Sequence, residues 1–88
     1  MTPEQKQAAR DRIGLRIMTL RKMQELSQEQ LADRAGISRS HHSRIEAGKF
    51  SVTFDNLQTI AEALGMTVDI IDSRLSDLAP LHTLTTTD

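Results

Sequence analysis

Hydroxyl residues and glycines punctuate this chain at short intervals, and that punctuation limits the folds open to it. Ser27-x-x-Gln30 is a capping box, in which side chains satisfy the free N–H groups at a helix start. The segment it opens carries Leu31, Ala32 and Ala35 and stops at Gly36, a residue suited to the left-handed turn that ends a helix. Ser38 opens a third segment that runs to about Ala47 and stops at Gly48. Thr53 opens a fourth, with Phe54, Leu57, Ile60, Ala61 and Leu64 on one face and Gly65 as its stop. Upstream, Thr2-Pro3-Glu4-Gln5 also reads as a helix start. The apolar rhythm there begins only at Ile13, Ile17 and Leu20, with Leu26 closing the segment. Residues 1–12 are therefore expected to be a frayed, solvated helical extension. Short helices on tight turns predict an all-α, compact bundle of four or five helices.

The pattern changes after Gly65. Met66, Val68 and Ile70 alternate with Thr67, Asp69 and Ile71, which predicts a short β-strand within residues 66–78. A lone strand leaves an unpaired edge, so its natural partner is the same strand of a second subunit, through Val68, Ile70 and Ile71. The other reading is a fifth short helix packed through Ile70, Ile71 and Leu75. Residues 79–88 read as a flexible tail.

At 88 residues the chain is one small domain, and dimerisation would add to its modest core. Phe50 and Phe54 are its only aromatic residues, so the core must be aliphatic. Without cysteine there is no disulfide and no thiolate metal site. The first residues lack the apolar run of a secretory signal, and no stretch is long enough to span a bilayer. Cytoplasmic work is expected. The net charge of −1 hides an asymmetry. Residues 1–50 hold ten Lys or Arg against six Asp or Glu, a net +4, while residues 51–88 hold one Arg against six acids, a net −5. A basic half of this kind can face phosphates while the acidic half faces away.

On a helical wheel of residues 38–47, Ile45 points to the core. Arg39, Ser40, Ser43 and Arg44 share the opposite arc, which carries no acid. Arginine can pair with a guanine edge through two hydrogen bonds, and serine can reach several bases or a phosphate. The start of the second helix, at Ser27 and Gln28, offers free N–H groups to a phosphate. Nothing points to catalysis. His41 and His42 are adjacent and diverge by about 100° on a helix, so they cannot share a metal. His82 lies in the tail, and there is no glycine-rich phosphate loop or base–nucleophile pair. Neither a cofactor nor a metal is expected.

The combined spacing of Leu20-Arg21, Leu26-Ser27-Gln28-x-x-Leu31-Ala32, Ala35-Gly36-Ile37-Ser38, Arg44-Ile45-Glu46-x-Gly48-Lys49 and Leu57-x-x-Ile60-Ala61-x-x-Leu64-Gly65 resembles the helix-turn-helix of the phage Cro/repressor-like, or XRE, family. The resemblance covers roughly residues 13–65. It implies a lambda-repressor-like bundle that regulates transcription, as a repressor, by binding double-stranded DNA as a homodimer on a near-palindromic operator. By position, Arg39, Ser40 and Arg44 match base-contacting sites, and Ser27, Gln28 and Lys49 match phosphate-contacting sites, with Ser43 able to meet either. Arg21 and Glu46 match a buried or half-buried ion pair. The small size and the MTVDII segment also resemble persistence-type antitoxins, whose partner is a toxin protein. A third reading is an interaction module that keeps the fold without binding DNA. Two positions depart from the family pattern. His42 stands where relatives carry Ile or Val, about 60° from Ile45 on the wheel, so it is at least partly inward. As a neutral, hydrogen-bonded ring it packs under the third helix, where protonation would loosen that helix; the plainer role is a boundary residue with a wet edge. Glu25 stands where relatives carry a helix-ending glycine.

Overall fold

A computed structural model describes residues 1–72 of the chain. The expected tail at 79–88 and the end of the 66–78 segment lie outside those residues. Five helices follow one another: α1 (Pro3–Met23), α2 (Gln28–Ala35), α3 (Arg39–Glu46), α4 (Phe54–Ala63) and α5 (Val68–Asp72). Thr2, Ser27, Ser38 and Thr53 cap the first four, each accepting from a backbone N–H in the first turn. Thr2 and Ser27 complete full capping boxes with Gln5 and Gln30.

The first four helices also end alike. In each, a residue two or three positions past the end of the helix bonds back to a carbonyl five residues earlier: Leu26 to Arg21, Ile37 to Ala32, Lys49 to Arg44 and Met66 to Ala61. That closure needs a residue with positive φ. Glycine supplies it at positions 36, 48 and 65, but at the end of α1 the residue is Glu25, with φ 60°. A side chain held there costs about 1–2 kcal/mol of backbone strain.

Packing follows the apolar faces. α2 lies against α3 and α4, α1 against α3 and α5, and α4 against α5. Ile17, Leu31, Ile45, Ile60 and Ile71 are fully buried, with Leu20, Leu26, Leu57 and Leu64 around them. Neither phenylalanine joins this core. Phe54, expected on the buried face of α4, sits in the first turn of that helix and is 67% exposed. Gly14 lets the backbones of α1 and α3 touch: a Cβ at that position would stand 2.5 Å from the Ile45 carbonyl oxygen and 2.6 Å from that of Glu46.

One expectation is corrected. Residues 68–72 form a helix, and there is no strand among the described residues. A lone strand would leave both edges of its backbone unpaired within the subunit, whereas the helix satisfies part of it locally. Helical spacing also sends Ile71 fully into the core, with Val68 packed at its margin. Ile71 is thus core within one chain and is not available to a second subunit, whereas Ile70 remains 45% exposed. Arg16 on α1 fixes the short helix by donating to the Ile70 carbonyl at 2.9 Å. Residues 3–10 are an unbroken part of α1, which starts at Pro3, and residues 3–8 are exposed. Gln7 docks them by donating to the Gly48 carbonyl at 2.9 Å.

Relieving the strain at position 25 gives a direct test. Glu25→Gly removes about 1–2 kcal/mol of strain and adds about 0.5–1 kcal/mol of unfolded-state entropy, so the variant is expected to gain up to about 1.5 kcal/mol. Urea unfolding midpoints measure this; a destabilised variant would show that position 25 is not held in the left-handed region.

Candidate nucleic-acid interface

Helix α3 presents its polar arc outward. Arg39, Ser40 and Arg44 are exposed, Ser43 is half-exposed, and the four side chains border one shallow concavity. None of the four makes a side-chain hydrogen bond or ion pair among the described residues. Two guanidinium groups and two hydroxyls thus point out of one helical face with their hydrogen-bonding capacity unused. Ser27 is exposed at the start of α2, where its hydroxyl oxygen accepts from Gln30 N at 3.0 Å. Lys49 is exposed immediately after the α3 turn.

Beneath this face lies a buried polar network. Arg21 on α1 donates to Glu46 on α3 twice, from Nε at 2.7 Å to Oε2 and from Nη2 at 3.0 Å to Oε1. Its third nitrogen, Nη1, donates to the Leu26 carbonyl at 2.7 Å. Gln28 at the start of α2 donates to Glu46 Oε1 at 3.0 Å, and His42, one turn earlier on α3, meets Oε2 through Nε2 at 2.6 Å. The carboxylate accepts at about four lone-pair sites, and here all four have donors. Arg21, His42 and Glu46 are each less than a tenth exposed. Because an ionised carboxylate can only accept, the His42 proton facing it sits on Nε2. Nδ1 is buried without a partner.

Burial alone would push the Glu46 carboxyl up, but the hydrogen bonds from His42, Arg21 and Gln28 outweigh it and bring it down to about 2. This places Gln28 differently from the sequence reading, which put its side chain on a phosphate. It is half-buried, with one amide hydrogen directed at Glu46. His42 is not a boundary residue with a wet edge; it is fully buried. The sequence held a signal for its contact with Glu46, since residues four apart on a helix are neighbours. Sequence reading missed the Gln28–Glu46 bond, which joins residues 18 apart on different helices. Among the described residues, no group of acids and histidines could hold a metal, and no helix is long and apolar enough to cross a membrane.

Comparison with known proteins sets this geometry in a family. The family described as helix-turn-helix matches residues 17–71. An immunity repressor protein of Bacillus phage phi105 is 39% identical over 59 residues, which is 67% of this chain but 41% of the repressor. This chain therefore spans less than half of that relative. Control protein C.MunI of a Mycoplasma species is 40% identical over 58 residues, covering 65% of this chain and 78% of the control protein. Among solved structures, the restriction-modification controller protein C.AhdI from Aeromonas hydrophila superposes with a TM-score of 0.72 at 33% identity, covering 73% of this chain and 97% of the controller.

The charged node at Glu46 has a pH signature. Its folded pKa lies below the ordinary 4.5, so the stabilisation is complete above that value and is lost as pH falls from 4.5 through about 2. The size is about 3 kcal/mol. Glu46→Gln, which cannot ionise, is expected to be less stable at neutral pH by about 3–5 kcal/mol. Its deficit relative to the parent should shrink across that acid window. A deficit that stayed constant from pH 5 to about 2 would show that the carboxylate's charge contributes nothing.

Proposed function

This chain belongs to the helix-turn-helix family of DNA-binding transcription regulators, and from that premise we propose that it is a sequence-specific repressor acting as a homodimer on a near-palindromic operator. The observation that carries this reading is the outward arc of α3, with four unpartnered donors on a helix tied down from beneath. In the proposed complex, α3 lies in the major groove. Arg39 and Arg44 pair with guanine edges, and Ser40 reads a neighbouring base. Ser43 meets a base or the backbone. Ser27, the N–H groups at the start of α2 and Lys49 hold phosphates, fixing the register of α3. Gln28 contributes there only through the amide hydrogen not directed at Glu46.

Two copies would set two α3 helices about one turn of DNA apart, roughly 34–36 Å. Ile70, exposed on α5, belongs to the surface proposed for the second copy. The cytoplasm, where such regulators meet the nucleoid, is the proposed place of action. The antitoxin alternative drew on the small size and on a strand after α4; residues 68–72 are a helix, which removes the second of these grounds. Similarity to an immunity repressor and to controller proteins supports the repressor reading.

Selection from a randomised duplex pool at low salt is expected to enrich one motif with two-fold symmetry, and an unenriched pool would overturn the regulator reading. On the enriched site, Arg44→Ala or Arg39→Ala should cost about 1–3 kcal/mol and relax preference at one base position. Lys49→Ala should instead weaken all sequences alike and reduce the salt dependence by about one phosphate contact. Filter-binding titrations across a salt series distinguish the two patterns, and their reversal would mean that the reading and positioning roles are exchanged.

A further inference from the structure

The family match begins at residue 17, yet α1 begins at Pro3. The additional turns do more than lengthen the helix. Together with the segment that follows α3 they flank a half-open cavity of about 210 Å³. Ala9 and Ile13 of α1 form one wall, Phe50 and Val52 of the loop after α3 form the other, and Ile45 forms the floor. Lys6 and Arg10 stand among this apolar lining, and no acidic side chain does. Arg10 donates to Gln7 Oε1 at 2.6 Å through one nitrogen, which leaves its other N–H groups for a guest.

We propose that this cavity binds a small amphipathic anion, an apolar body with a carboxylate or similar head, and that its occupancy weakens DNA binding. The cavity is larger than the roughly 150 Å³ apolar cavity that takes up benzene. It is well short of the roughly 300–1,000 Å³ typical of drug-sized sites. An apolar wall selects a hydrocarbon body, and two cations with no opposing acid select a negative head. A neutral hydrophobe would bury the same area but leave Lys6 and Arg10 uncompensated. A small polar anion would gain nothing from Ala9, Ile13, Phe50 and Val52.

The second half of the proposal rests on the DNA-binding reading. The floor residue, Ile45, is the apolar anchor of α3 and is 1% exposed. The loop wall continues directly from Lys49, placed above on the phosphate backbone. An anion seated between them adds negative charge and neutralises two cations beside that contact, which lowers the attraction for DNA.

The test uses the full chain labelled with ¹⁵N and titrated with octanoate, with octan-1-ol as the uncharged counterpart. Octanoate is expected to shift the amides of residues 6–13 and 49–53 to saturation at a single site. Octan-1-ol should bind about tenfold more weakly, and Arg10→Gln should weaken octanoate by a similar factor. Lys6→Gln serves as a second variant, and thermal unfolding checks that both are folded. Absence of saturable shifts in those segments overturns the site. Equal affinity for the alcohol, or variants that bind octanoate as well as the parent, overturns the anionic class. On the enriched duplex, saturating octanoate should lower DNA affinity at least about fivefold, and DNA should lower octanoate affinity by the same factor. Unchanged DNA affinity overturns the coupling. A chain that takes up octanoate but enriches no duplex keeps the site and loses the regulator reading.

Discussion

One carboxylate joins the three helices that build and hold the outward face. Glu46 sits in the last turn of α3 and accepts from Arg21 on α1, Gln28 on α2 and His42 on α3 itself. Burying a charge this deeply costs several kcal/mol per ion unless partners fill its lone pairs. Here they are filled, and each partner approaches from a different direction. The geometry therefore fixes α3 about its own axis as well as along it. Ile45 beneath the helix and the bare backbone at Gly14 hold the same end by contact. A helix fixed in rotation keeps Arg39 and Arg44 on the outside; a rotation by one residue would turn that arc toward α1 or α2.

Much of this was legible in the sequence because local rules dominate where helices start and stop. The hydroxyl caps at 2, 27, 38 and 53 and the glycines at 36, 48 and 65 each act within a few residues of themselves. The outward arc of α3 follows from the helical repeat once its cap is known. What local rules do not reach is partnership across the fold. Gln7 looks like solvated polar surface until its target, the Gly48 carbonyl, comes into view 41 residues away. Gln28 reads as a phosphate ligand because the start of a helix offers free N–H groups to an anion. Only the tertiary arrangement shows Glu46 within reach of its amide.

The segment after Gly65 is instructive in the opposite sense. Its β-branched residues alternate well enough to read as a strand, and β-branched side chains do favour one. The choice was made by the pocket waiting for them. α1 and α4 leave room for one isoleucine, and helical geometry delivers Ile71 to it while keeping Val68 at the rim. Packing against neighbours outweighed the preference of the isolated segment. At Glu25 the backbone likewise adopts a conformation that its side chain disfavours, because the closure from Leu26 to Arg21 sets the angle between α1 and α2. Arg21 serves that closure twice, accepting through its backbone and donating to Leu26 through its side chain.

None of the four residues on the α3 arc takes part in the network beneath them. Scaffold and outward face are thereby uncoupled. Positions 39, 40, 43 and 44 are open to substitution at little thermodynamic risk, so the chemistry of the outward face can change without a change of fold. Position 46 has no such latitude, because every exchange there disturbs three helices together.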